Sequence, residues 1–159
     1  MNIKIRKINS KEQTWLKETM TREWGGEPLL IRGVKFYPSS MESLIAVEGE
    51  KIMGFMTYEI RSPICEIIAF EVYEKFNGLG TLMLEEMKKF AQSQNCTKLY
   101  LMTTNDNLDA LRFYQKRGFQ ISGIHLDSVK NSRKLKPTIS EFGDYGIAVR
   151  DEIDLEQLI

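Results

Sequence analysis

The sequence predicts an α/β fold in which one mixed sheet of about seven strands is flanked by helices. Two observations carry this. Short apolar runs alternate with amphipathic stretches in the order β-α-loop-β-β-β-α-β-α-β-β. A glycine turn, Asn77-Gly78-Leu79-Gly80, joins one apolar run directly to the longest amphipathic stretch. The chain of 159 residues has no repeat, linker or low-complexity tract, so residues 1–159 read as a single domain.

Ile3, Ile5 and Ile8 predict a first strand. Ser10-Lys11-Glu12-Gln13 has the S-x-x-Q form of a capping box, and the helix it opens carries Leu16, Met20 and Trp24 before stopping at Gly25-Gly26. Residues 27–41 hold Pro28, Gly33 and Pro38 without a sustained period, and read as a loop or short helical turn. Residues 43–47 and 52–60 form two antiparallel strands around the turn Glu48-Gly49-Glu50-Lys51. A strand over 65–72 leads into a helix with Leu79, Leu82, Met83, Met87, Phe90 and Ala91 on one face. Residues 98–103 form the next strand, 108–116 a helix ended by Gly118, and 119–125 and 147–155 the closing strands.

At 42% hydrophobic and 28% charged residues the composition is that of a globular domain. No apolar run approaches the ~18 residues of a membrane span, and the opening Met1-Asn2-Ile3-Lys4-Ile5-Arg6 alternates where a signal peptide is continuous. A cytoplasmic protein without a membrane partner is expected. Lys plus Arg and Asp plus Glu balance at 22 each, which argues against a nucleic acid partner. Cys65 and Cys96 form no C-x-x-C pair and the chain has one histidine, so they read as ordinary buried thiols and no metal site is expected.

The turn Lys75-Phe76-Asn77-Gly78-Leu79-Gly80 lies where a polyphosphate is most readily bound, because the first helical N–H groups lack intrahelical partners and the helix dipole is positive there. A packing or capping role for these glycines accounts for the same pattern. A Rossmann fingerprint places a third glycine where this chain has Met83, and no nucleotide P-loop run is present.

Two separated segments resemble one family in the right order. Residues 67–80, ending Lys75-Phe76-Asn77-Gly78-Leu79-Gly80, are similar to the coenzyme A motif R/Q-x-x-G-x-G/A of the GNAT N-acetyltransferases. Lys75 replaces the usual Arg or Gln, and Phe76 stands where many members have a further glycine. About 27 residues later, Asn107 to Phe119 resembles the second motif, N-x-x-A-x-x-x-Y-x-x-x-G-F, with five residue types fixed over thirteen positions. The resemblance implies two parallel strands splayed in the middle of the sheet, with the pantetheine arm of acetyl-CoA entering the gap beside Ile68, Ala69 and Phe70. It implies pyrophosphate binding at Lys75, Phe76, Asn77, Gly78, Leu79 and Gly80, and a further coenzyme A contact from Asn107 and Tyr114.

The chemistry implied is transfer of acetyl from acetyl-CoA to a primary amine of a small molecule or protein, by direct attack in a ternary complex. Tyr114 carries the family role of proton donor to the departing thiolate. Glu66 resembles the carboxylate that some members place near the acceptor amine, relaying the proton through water. In a regular strand Glu66 shares a face with Ile68 and Phe70, and Glu71 points to the other side. Each residue also has a plain structural reading: Tyr114 as a core ring beside Phe113 and Phe119, Asn107 as a helix N-cap, Glu66 as a solvated carboxylate. His125 reads as structural or as an acceptor-site base. Lys130, Arg133, Lys134 and Lys136 read as a solvated basic loop, or as a cluster that attracts an acidic acceptor or the adenosine 3′-phosphate. A non-catalytic acyl-CoA-binding sensor or assembly module is the alternative function, and pairing of closing strands makes a homodimer compatible with either.

Overall fold

The structure is a computed structural model that describes residues 2–75 and 77–159; Phe76 lies outside the described residues. Strand β1 (Ile3–Lys7) leads into helix α1 (Ser10–Glu23). The capping box forms one residue earlier than the sequence suggests: Asn9 is the N-cap, its Oδ1 accepts from the Glu12 N–H at 3.0 Å, and Glu12 Oε2 accepts from the Asn9 N–H at 2.9 Å. An amide-carboxylate box outcompetes Ser10-x-x-Gln13, and Arg6 anchors the Glu12 carboxylate at 2.7 Å.

Residues 27–41 are not a plain loop. They form a small hairpin, β2 (Leu29–Ile31) and β3 (Val34–Phe36), followed by a 3₁₀ turn at Pro38–Ser40. Its three-residue strands are too short for an alternating pattern to show in sequence, and Leu29, Ile31 and Phe36 are buried against α1. The main strands follow: β4 (Ser43–Glu48), β5 (Lys51–Arg61), β6 (Ile64–Val72), then α2 (Leu79–Ser93), β7 (Lys98–Thr104) and α3 (Leu108–Lys116). On α2 the expected face is corrected at one place: Leu82 is exposed and Leu84 is buried.

Past β8 (Gln120–His125), residues 128–135 form a fourth helix, α4 (Ser128–Leu135), where a basic loop was expected. The last strand, β9 (Glu152–Leu158), starts five residues later than the apolar run Ile147-Ala148-Val149 suggests. That run instead closes a turn: Ala148 bridges Phe142, and Arg133 ties the segment down by donating to Ile139 O, Ser140 O and Val149 O.

The seven long strands make one mixed sheet in the order β1-β4-β5-β6-β7-β9-β8, with β6 and β7 parallel near its middle. Helices α2 and α3 cover one face over Met53, Met56, Cys65, Ile67, Leu99 and Leu155. Helix α1 and the β2–β3 hairpin cover the other over Ile45, Phe55, Ile68 and Ala69. Cys65 and Cys96 are free, buried thiols. No helix among the described residues is long and apolar enough to cross a membrane.

Candidate active site

Strand β6 changes face within its length. Thr57 pairs with Ala69 while the next residue, Tyr58, pairs with Ile67, so Ile68 is an extra residue in a β-bulge. Before the bulge Cys65 and Ile67 pack toward α2; Ile68 and Ala69 both pack toward α1; Phe70 and Val72 turn back toward α2. Two strand-geometry expectations fall with this. Glu66 and Phe70 do not share a face, and Glu71, paired with Phe55, lies on the α1 side together with Glu66.

The bulge coincides with the break in the parallel pair. Ile64–Ile67 pair in register with Lys98–Leu101, and pairing then ceases although β6 continues to Val72 and β7 to Thr104. A cleft of about 240 Å³ opens there, lined by Ile68, Ala69, Phe70, Met102, Thr103, Asn107 and Tyr114, with Trp24 and Leu29–Ile31 on the α1 side. Beyond the break the facing backbone groups of β6 and β7 are free to pair with an inserted chain.

On the α2 side this opening continues into a second cleft of about 400 Å³. Gly78 forms its bend at φ 88°, a conformation side chains rarely adopt, and none of the described residues lies within 4 Å of where its Cβ would point. Gly80 is needed for close packing instead, since a Cβ there would meet the Phe113 ring at 3.2 Å. Asn77 Oδ1 accepts from the Leu79 N–H at 3.1 Å, so the side chain caps α2. Lys75 lines the same cleft.

Sequence reasoning missed the cations opposite the turn. Arg112, Lys116 and Arg117, from α3 and its end, line the cleft with Thr81. Arg117 is fixed: Nε and Nη2 donate to Thr81 Oγ1 at 2.9 and 2.7 Å, and the guanidinium stacks on Phe113 at 3.8 Å. The signal was present in the four-residue spacing of Arg112 and Lys116, which puts both on one helix face.

Asn107 is the N-cap of α3, its Oδ1 accepting from the Ala110 N–H at 3.2 Å, and it also lines both clefts. Tyr114 lies at their junction, 7% exposed, with its ring edge-on to Phe113 and Phe119. Burial, and then the Glu71 charge, push its hydroxyl above the ordinary tyrosine pKa.

The two carboxylates of β6 differ. Glu66 is 1% exposed, and each of its oxygens meets a guanidinium: Oε1 accepts from Arg32 at 2.5 Å and Oε2 from Arg61 at 2.6 Å. Glu71 has no side-chain hydrogen bond among the described residues, and burial raises its pKa, with Lys75 opposing and Glu23 and Asp144 adding to the rise. His125 pairs with Asp154 at 2.6 Å. The expected basic loop is corrected at two residues: Arg133 is engaged as above, and Lys136 is buried with Nζ donating to Trp24 O and Gly26 O, its pKa lowered by burial. Lys130 and Lys134 stay exposed.

A mixed sheet opened at its parallel pair, with a basic cleft and a glycine turn leading into the opening, is the build of a GNAT acetyltransferase. The chain belongs to this family: the model of the acetyltransferase (GNAT) family matches residues 9–119. It is 35% identical over 145 residues to the uncharacterized protein YdhI of Bacillus subtilis, covering 91% of each chain, and 32% identical over 133 residues to YxbD of the same organism, covering 83% and 84%. Among solved structures, the fold matches an IAA acetyltransferase from Bacillus cereus with TM-score 0.74 at 24% identity, over 99% of this chain and 100% of that one. It matches a GNAT family acetyltransferase from Elizabethkingia anophelis, solved with acetyl-CoA bound, with TM-score 0.72 at 23% identity over 99% of each chain.

Proposed function

We propose that the protein transfers acetyl from acetyl-CoA to a primary amine by direct attack in a ternary complex. The observation that carries this reading is the end of β6–β7 pairing at Ile67–Leu101, beside a bulge and beneath Tyr114. The pyrophosphate lies at the Gly78 turn facing Lys75, Arg112 and Lys116, and the pantetheine arm pairs with the freed backbone beside Ile68, Ala69 and Phe70. Acetyl-CoA bound in the Elizabethkingia anophelis structure supports the donor.

A backbone N–H at Ala69 or Phe70 then faces the thioester oxygen, where negative charge grows as the amine attacks; one such donor contributes about 3 kcal/mol in comparable sites. The carbon–sulfur bond breaks as the tetrahedral centre collapses. Tyr114 stabilises the sulfur anion by donating a hydrogen bond. Its raised pKa makes complete proton transfer to a thiolate less favourable than for an ordinary tyrosine.

The amine must lose a proton, and a free lysine-like ammonium lies about six pKa units above an ordinary glutamate. Glu71 is suited to take that proton through water: it has no hydrogen-bond partner among the described residues, shares the α1 face with Ala69, and has a raised pKa. Glu66, held by two arginines, enters as the residue that anchors Arg32 at the tip of the β2–β3 hairpin. Exposed Ile121 and Ile124 on edge strand β8 support pairing with a second copy of the chain.

The test is calorimetric binding of acetyl-CoA followed by a thiol-release screen against polyamines, amino acids, aminoglycosides and peptides. Tight binding with amine-dependent thiol release is expected. Tight binding without release for any amine favours a sensor or assembly module, and absence of binding overturns both readings.

A further inference from the structure

The α1 face of the sheet carries a buried charge cluster beside the acceptor side of the opening. Glu66 on β6, Glu152 and Asp154 on β9 are 1%, 2% and 6% exposed. Strand registers place them together: Asp154 pairs with Met102 and Glu152 with Thr104, both lining the opening. Arg32, at the tip of the β2–β3 hairpin, reaches among them. Its Nη2 donates to Glu66 at 2.5 Å and its Nη1 to Asp154 at 3.3 Å, its backbone N–H donates to Glu152 Oε2 at 2.9 Å, and its guanidinium lies 5.0 Å from the Tyr100 ring centre.

Three features set this cluster apart from a simple tie. Glu152 Oε1 is buried without a hydrogen-bond partner among the described residues, so the cage holds one acceptor oxygen more than Arg32 satisfies. Apolar packing would fasten the hairpin more cheaply than three buried carboxylates, whose desolvation opposes folding. The hairpin is held on α1 by Leu29, Ile31 and Phe36 independently of Arg32, so the Arg32 guanidinium can leave the carboxylates without unseating the hairpin. Carboxylates around an aromatic face form a receptor for a guanidinium or ammonium group.

Resting on the acetyl-transfer reading above, we propose that Glu66, Glu152 and Asp154 bind a second, remote cationic group of the acceptor, a guanidinium or primary ammonium, and that the Arg32 guanidinium holds its place when no acceptor is bound. Its β9 carboxylates lie about two strand spacings across β7 from the strand of Ala69, and Glu66 lies on that strand, so the two nitrogens of the acceptor stand roughly 10 Å apart. The substrate class is then a flexible dication rather than a monoamine. Arg61 takes Oε2 of Glu66 and His125 pairs with Oδ2 of Asp154, which leaves Glu66 Oε1 and Asp154 Oδ1, now held by Arg32, to the guest.

Methylguanidinium chloride is the binding probe, measured by calorimetry on the intact chain. Arg32→Ala should bind it at least tenfold more tightly than wild type, and adding Glu152→Gln should remove that gain. Equal affinity in wild type and Arg32→Ala overturns the proposal, as does a gain that survives Glu152→Gln, which would make a buried water the partner of Oε1. Should Arg32→Ala fail to fold, the wild type decides: diaminohexane should raise its unfolding temperature more than hexylamine does, and Glu152→Gln should abolish the difference. No advantage of the diamine there sinks the proposal. Acetyl-CoA binding and thiol release with any amine are read separately, so acetyl transfer stands or falls on its own measurement.

Discussion

The two sides of the sheet solve their binding problems with different means. On the α2 side, the cleft is built from a glycine bend, the start of α2 and cations contributed by α3 and by the turn before α2. On the α1 side, the cluster is built from side chains of the β2–β3 hairpin, β6, β7 and β9, with Arg32 engaging the buried Glu66 and Asp154. The first suits a ligand whose polyphosphate is recognised mainly through backbone, and the second suits discrimination among small cationic guests. Under the proposed acetyl transfer, the contrast predicts that the donor side tolerates side-chain change except at its bend, whereas the acceptor side depends on individual side chains.

The sharpest way to break the comparison is at the bend. Gly78→Glu puts a carboxylate into the open space before the turn and should weaken acetyl-CoA binding by about 100-fold or more, since a misplaced like charge near a pyrophosphate costs several kcal/mol. Strain at φ 88° should also lower stability by about 1–2 kcal/mol. Gly78→Ala separates the two effects: it shares the strain and should retain most of the binding. Calorimetry and thermal unfolding on both variants check this.

Tyr114→Phe should lower turnover by about 10- to 100-fold with donor affinity nearly unchanged, because the hydroxyl acts when charge appears on sulfur. The ring keeps its packing against Phe113 and Phe119, so unfolding temperature should hardly move. A full-speed variant would show that the thiolate leaves without help.

The carboxylates of β6 sharpen the acceptor side. Glu71→Gln should lose roughly 10-fold in turnover and lose the acid limb of the pH–rate profile. In Glu66→Gln that limb should persist while the acceptor KM rises through loss of one carboxylate from the cation cage. The stability signs follow from burial. The folded pKa of Glu71 is raised above its unfolded value, so the fold binds the extra proton and stability falls as pH rises through that window. Glu71→Gln should therefore be as stable as wild type in acid and more stable at neutral pH, as read by denaturant titration at two pH values. The reverse order would remove Glu71 as a strained carboxylate.

The smallest expected effect is at the donor rim. Lys116→Ala should raise the acetyl-CoA KM by about two- to fivefold at low salt, with turnover unchanged, and the difference should shrink at high salt because the charge is solvent-screened.

Local rules carried the donor side in the sequence. Gly78 and Gly80 after a strand, the N-cap Asn107, and the helix from Leu108 to Lys116 ending at Gly118 are each set by backbone chemistry within a few residues, and the structure has each of them there. The bulge at Ile68 was invisible because an inserted residue leaves no mark in an apolar run that is buried on both faces, and it reversed the facing of Phe70 and Glu71. The hairpin and α4 were missed because their identity depends on what they dock against: Leu29 and Ile31 on α1, Lys136 on the carbonyls of Trp24 and Gly26.

What the sequence determined by itself is therefore the alternation of elements, the glycine bend and its cap, and the family these motifs indicate, since all are written in contiguous residues and short-range hydrogen bonding. The meeting of Arg32 with Glu66, Glu152 and Asp154 was decided only by tertiary structure. Those residues stand as far as 122 positions apart, and their encounter is fixed by sheet register and by a hairpin folding back over the sheet, neither of which has a local signal.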